Sequence, residues 1–206
     1  MLDDGSVTSV GDAATDSQRR RYMQILNTAL DVLKSSGYAH TSMEAIASQS
    51  GVGLGTIYRY FQSRDKLLFL ATDAWLSNVA RAARIERTDQ KPKDRVLGAM
   101  RAGGERLYSE PVLLEAWVMS HLSSDPNVVE LASQSTLFQD INAHSFRDDD
   151  DRETVEALGM VMENIWFAGL VRWALGHRKY ERIVQEMEAA VIMVFDARKS
   201  ATGHGG

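Results

Sequence analysis

Apolar residues recur along most of this chain at intervals of three and four, the period of an α-helix with one buried face. Residues 64–86 align Leu67, Leu68, Ala71, Trp75, Leu76 and Val79. Residues 154–176 align Val155, Leu158, Met162, Ile165, Trp166, Gly169, Leu170 and Trp173, and residues 180–199 align Ile183, Met187, Ala190, Val191, Val194 and Phe195. The prolines stand where a helix tolerates them, because the first helical position needs no N–H. Pro92 and Pro111 predict helices near 93–108 and 112–122, the first weakened by Gly103 and Gly104, and Asp125-Pro126 reads as a cap and first position for the helix that carries VVELASQSTLFQDINAHSF. With 44% hydrophobic residues and three prolines in 206 residues, the chain favours long helices over sheets.

One stretch departs from this amphipathic pattern. Residues 41–66, TSMEAIASQSGVGLGTIYRYFQSRDK, read as two short helices joined by a glycine turn. Thr41 stands three residues ahead of Glu44 in capping-box spacing, and Gly51 falls where a helix ends on a residue of positive φ. In the second helix, 54–61, Ile57 and Phe61 share one face while Thr56, Tyr58, Arg59 and Tyr60 occupy the remainder. A lone tyrosine there would read as a half-buried core aromatic. Four polar or aromatic residues opposite one apolar stripe instead fit a DNA major groove, where Arg offers two donors to guanine and Tyr hydroxyls and backbone N–H groups hold phosphates. Gly53 and Gly55 remove side chains where backbone would approach the duplex.

As a whole, GVGLGTIYRYFQSRDKLL resembles the recognition-helix signature of the TetR family of transcriptional regulators, a likeness that covers about 18–70. The resemblance implies an all-α chain with an N-terminal three-helix helix-turn-helix DNA-binding domain, 17–63, and a C-terminal helical effector-binding and dimerisation domain, 64–199. Residues 1–16 and 200–206 lack periodicity and read as disordered tails. Carried over by position, the DNA contacts are Thr41, Ser42, Gly55, Thr56, Tyr58, Arg59, Tyr60 and Lys66, with Arg59 on a base and the tyrosines and Lys66 on phosphates. Val52, Ile57 and Phe61 are implied as scaffold.

Charge follows the same division. The chain carries net -5, yet the segment 17–66 holds seven basic residues against three acidic ones, a surplus of four, which leaves the rest at -9. A basic head on an acidic body orients itself on DNA and loses affinity as salt rises. Arg19 and Arg20 either touch phosphates as a basic arm or are a solvated helix start; both readings stand.

Other chemistry finds little support. Cysteine is absent, which excludes disulfides and thiolate sites and suits a reducing interior. No apolar run reaches membrane-spanning length and the N-terminus lacks the basic-then-apolar order of a secretion signal, so the expected location is cytoplasmic, with no membrane partner. Asp148 to Asp151 are contiguous where a calcium loop alternates its ligands, and read as a helix-start cap. The five histidines show no ligand spacing, so no metal is implied, and Gly51, Gly53 and Gly55 lack the strand and Lys-Ser/Thr of a nucleotide loop, so no cofactor is implied either. Nothing positive marks an enzyme; a helical enzyme or a protein-binding dimeric adaptor with the same head is the competing reading.

The two final apolar stripes read as a helix pair, and the resemblance implies that two such pairs form a homodimer, with Leu158, Gly169, Met187, Ala190, Val191 and Val194 at the interface. A two-fold dimer calls for a palindromic double-stranded operator. The body is rich in Met and Trp, adaptable liners of pockets. Met100, Leu107, Leu114, Trp117, Phe138, Met162, Trp166 and Trp173 are the candidate lining for a bulky hydrophobic small-molecule effector, against the alternative of a fully packed core. EPVLLEAWVMSH and ENIWFAGLVRWALGHR are similar to the actinobacterial repressors of sterol catabolism, the KstR type, which implies a steroid intermediate, free or as a CoA thioester; a fatty acyl-CoA or a drug-like aromatic stays open. Effector and operator would then be antagonists by linkage, with the helix from Arg64 as the lever.

Overall fold

The computed structural model describes Leu2 and residues 15–82, 91–133 and 152–202. Among these residues the elements are all helices: α1 (Asp16–His40), α2 (Met43–Ser50), α3 (Leu54–Phe61), α4 (Arg64–Ala82), α5 (Pro92–Tyr108), α6 (Pro111–His121), α7 (Pro126–Ser133), α8 (Arg152–Ala174) and α9 (Tyr180–Thr202). Pro92, Pro111 and Pro126 each open a helix, as their missing N–H allows. Residues 134–150 lie outside the described residues, and with them Phe138, Asp148 to Asp150 and the rest of the helix expected after Asp125; Asp151 does too.

Two compact units divide the chain, and each is built from two separate segments. One comprises Met1–Val79 with Glu110–Ser135, the other Ala80–Ser109 with Thr136–Gly206. The sequence placed the division after residue 63. The structure instead puts α6 and α7 with the head, because α6 is apolar on nearly every side: Leu113, Leu114, Ala116, Trp117, Val118 and Ser120 are all buried, and α6 lies along α1. Ile25, Leu26, Ala29 and Leu33 of α1 are fully sealed in the same core. Leu2, assigned to a tail without structure, is buried, and its N–H donates to Asn27 Oδ1 at 2.8 Å.

α1 starts at a capping box in which the Thr15 hydroxyl takes the Gln18 N–H and Gln18 Oε1 takes the Thr15 N–H at 2.8 Å. Gly37, at φ 74°, bends its end. α2 is capped by Ser42, whose hydroxyl accepts the Ala45 N–H at 3.1 Å, so the cap stands one residue later than the spacing of Thr41 and Glu44 suggested. Gly51 closes α2 at φ 68°, the left-handed conformation expected there, with its N–H on Ala47 O at 3.1 Å.

In the second unit α8 and α9 form a hairpin through the turn at Gly176, φ 72°. Gly169 is buried against α9: a Cβ there would stand 2.8 Å from Ile183 Cγ2. α5 covers α9, with the Tyr180 hydroxyl donating to Gly104 O at 2.9 Å and the Tyr180 ring stacked on Tyr108 at 4.4 Å.

Candidate nucleic-acid interface

Only two side chains fasten α3 fully to the fold. Ile57 and Phe61 are completely buried, and Phe61 stacks on Tyr22 of α1 at 4.8 Å. Side chains of this size contribute about 1.5–3 kcal/mol each on burial, enough to pin an eight-residue helix by one stripe. The rest of its circumference stays outside. Tyr58 is 43% exposed and Arg59 is exposed. The Arg59 guanidinium lies 5.8 Å from the Tyr60 ring centre and has no ion pair among the described residues. Tyr60 is half-buried, edge-on to Tyr22 at 6.0 Å, so it is scaffold on one side and surface on the other.

The start of α3 is bare. Gly53 is the cap and supplies no side-chain hydrogen bond; its carbonyl takes the N–H groups of Thr56 and Ile57, which leaves those of Leu54 and Gly55 without an intrahelical acceptor. Gly53 and Gly55 are exposed, and a Cβ at either would meet nothing within 4 Å. Packing within the protein therefore does not require glycine there, whereas close approach by an anion to the free N–H groups does.

Around this helix the sequence reading needs one correction. Thr41 is 2% exposed; its hydroxyl donates to Gly37 O at 2.8 Å and its carbonyl accepts Arg64 Nε at 2.6 Å. It joins α1 to α4 from inside and is not available to DNA. Ser42 is half-buried at the start of α2 and already used as its cap. Lys66 is half-buried beside α3, with its ammonium on Gln62 Oε1. Arg20 is exposed and Arg19 half-buried on the first turns of α1. Sequence reading missed Gln62, whose φ of 60° turns the chain out of α3, and Arg64, which bonds Thr41 O, Tyr38 O and Asp65 and lies 4.6 Å over the Tyr38 ring. A basic residue opening α4 was visible in the sequence; the acceptors it finds were not.

Beneath the head, α4 and α6 enclose a polar cluster that also went unread. Burial pushes the Asp73 carboxyl up to about 6, with the nearby Trp117 side chain favouring its charged form, and its Oδ1 has no hydrogen-bond partner. His121 lies against Trp117 at 4.1 Å and Phe69 at 4.6 Å; burial lowers it to about 4 despite its bond to Trp117 O at 2.9 Å. The Thr72 and Ser120 hydroxyls meet at 3.4 Å.

The expected effector lining is shared between the two units. Leu114 and Trp117 are sealed in the first; Leu107, Met162 and Trp166 are buried and Met100 is half-buried in the second, where Trp173 sets its edge against Tyr108 and Tyr180. Phe138 lies outside the described residues. An open groove of about 290 Å³ in the second unit is lined by other residues, among them Asn164, Ala168, Arg172 and Glu186.

The expected dimer residues are corrected in part. Gly169, Met187 and Val191 are buried within a single chain, Gly169 where α8 meets α9, and are not free for a second copy. Ala190 and Val194 are half-buried, and the Leu158 side chain lies outside the described residues. Among the described residues, the large apolar side chains left outside on this hairpin are Met160 (66% exposed), Leu175 (53%), Ile192 (39%) and Met193 (70%).

Comparison with known proteins covers both ends of the chain. Residues 25–71 match the family described as bacterial regulatory proteins, tetR family, and residues 89–194 match the tetracyclin repressor-like C-terminal domain. The HTH-type transcriptional repressor KstR of Mycobacterium tuberculosis is 22% identical over 198 residues, covering 95% of this chain and 90% of that protein. A TetR transcriptional regulator from Rhodococcus sp. RHA1 superposes with a TM-score of 0.73 at 20% identity, over 87% of this chain and 97% of the other. The Thermus thermophilus repressor FadR, in complex with lauroyl-CoA, gives 0.65 at 18% identity over 83% and 93%.

Proposed function

This chain belongs to the TetR family of bacterial transcriptional regulators, which are not enzymes, and on that premise we propose that it is a homodimeric repressor that leaves a palindromic operator when a bulky apolar effector binds. The observation that carries the DNA half is the exposed Tyr58 and Arg59 on a helix whose opposite stripe, Ile57 and Phe61, is sealed. Arg59 reads a base. Tyr58, the outer edge of Tyr60, Thr56, Lys66 and the backbone at Gly55 hold phosphates, with Arg19 and Arg20 as a flanking basic arm and Ser42 at the start of α2. The protein works in the cytoplasm, where its operator is.

The second copy is held through the outer face of the hairpin at Met160, Leu175, Ile192 and Met193, side chains that a lone chain would leave in water. The effector class is supported by the Thermus relative, whose complex is with lauroyl-CoA, and an acyl-CoA thioester is the first candidate; a steroid is the second. Effector and operator each favour one arrangement of the dimer, so each weakens the other by the same factor.

The test is to select duplexes from a random pool with the full-length protein and then measure Arg59→Ala on the winning sequence. Loss of one bidentate base contact predicts a drop of about 5- to 150-fold, with the dimer intact. Equal affinity of the variant would remove Arg59 from the base-reading role.

A further inference from the structure

Two corners of the first unit carry the same short pattern, Ser-x-Asp: Ser63 with Asp65 between α3 and α4, and Ser123 with Asp125 between α6 and α7. In both patterns the serine oxygen takes a nearby backbone N–H. The Ser63 oxygen accepts the Lys66 N–H at 3.1 Å and so caps α4, and the Ser123 oxygen accepts the Asp125 N–H at 3.2 Å. Each serine proton is then left for an acceptor elsewhere, and that of Ser123 crosses to the other corner. Ser123 donates to Asp65 Oδ2 at 2.6 Å. Ser63 stands near the Asp125 carboxylate and, with the Asn127 backbone N–H and the Lys66 charge, draws it below the usual carboxylate range. Asp125 also caps α7, taking the Asn127 N–H at 2.9 Å.

The clasp reaches both ends of the helix-turn-helix. The other oxygen of Asp65 takes Arg64 Nη1 at 2.9 Å and faces the Tyr38 hydroxyl at 3.5 Å. Arg64 in turn binds the carbonyls of Tyr38 and Thr41, at the end of α1 and just before α2. α3 ends two residues before Ser63, and its exit is a single strained position, Gln62 at φ 60°. Such a turn keeps its shape only where its surroundings fix it.

We infer that Ser123 and Asp125 are positioning residues for the DNA-reading helix: the α6–α7 corner grips the turn that sets the angle of α3, from 58 residues downstream of Asp65. The inference rests on the regulator reading and adds to it a second point of attachment besides α4 itself. A shift in the last turn of α6 or the first turn of α7 reaches α3 directly through this clasp. Hydrogen bonds to a carboxylate hold their geometry more firmly than neutral ones, which suits a contact that must transmit an angle.

The test uses full-length protein and two probes, the palindromic duplex selected by the wild type and a duplex with only one of its half-sites. Ser123→Ala should lower affinity for the palindrome by about fivefold or more, the worth of one net hydrogen bond, while half-site affinity stays within about twofold, because a single head can dock at any angle. Ser123→Thr should restore the palindrome, and Ser123→Ala should add nothing in an Asp65→Ala background. An equal loss on both duplexes, with a lower melting midpoint, would make the serine merely structural and overturn the inference, as would no loss on either. If the wild type selects no duplex at all, the regulator reading falls and this one with it; a selecting wild type with an indifferent Ser123→Ala overturns this one alone.

Discussion

Gly55→Ala adds a single methyl to the first turn of α3, at a position where the new atom meets nothing within 4 Å. Alanine gives up less conformational freedom than glycine on entering a helix, a difference of about 0.5–1 kcal/mol in favour of the variant. For a chain of this size that corresponds to a rise in melting temperature of roughly 1–4 °C. In the complex the same methyl would stand between a phosphate and the free N–H groups of Leu54 and Gly55. A hydrogen bond to a charged group is worth about 1.5–3 kcal/mol, so operator affinity should fall by roughly 10- to 150-fold. Thermal melting reports the first effect, and fluorescence anisotropy with labelled operator at fixed salt the second. Opposite signs are the expected outcome. A variant that melts higher and binds as well as wild type would show that the start of α3 faces solvent in the complex, which refutes the proposed docking.

Further outcomes test the remaining elements. Gly169→Ala forces a Cβ to 2.8 Å from Ile183 Cγ2 in the buried hairpin contact and should destabilise by about 1–3 kcal/mol in urea; unchanged stability would mean that α8 and α9 separate at no cost. Met193→Asp, at a 70% exposed position, should leave the fold intact but yield monomers in sedimentation, and a persistent dimer would move the interface elsewhere. Asp73, raised to about 6, is protonated more readily folded than unfolded, so its contribution to stability falls as pH rises from about 4 to 6. His121, lowered to about 4, binds its proton more readily unfolded, so its contribution grows over nearly the same range. The two oppose each other, and Asp73→Asn should uncover a stability that climbs with pH in that window; a profile identical to wild type would contradict the buried carboxyl.

Where periodicity and punctuation agreed, sequence was enough. The prolines at 92, 111 and 126 mark helix starts because their chemistry is local, and Gly51 ends α2 in the left-handed conformation for the same reason. Ile57 and Phe61 were legible as the anchored stripe because a four-residue spacing leaves one solution on an eight-residue helix. Partners distant in sequence were not legible. Thr41 looked polar and available, but Arg64 and Gly37 claim it from opposite sides. Gly169, Met187 and Val191 carried the right apolar pattern for an interface, and a pattern cannot say whether the covering helix belongs to the same chain or to another. The Ser-x-Asp clasp was invisible, because each half is an ordinary helix cap until the two corners meet.

The interleaving of segments also bears on how such regulators can be recombined. Since α6 and α7 complete the apolar interior that α1 begins, a chimera spliced between α3 and α4 would strand Ile25, Leu26 and Leu33 against a foreign neighbour. Transplanting this reader onto another sensor means carrying 110–135 along as its obligatory companion, and altered operator preference cannot be grafted with the first sixty-odd amino acids alone.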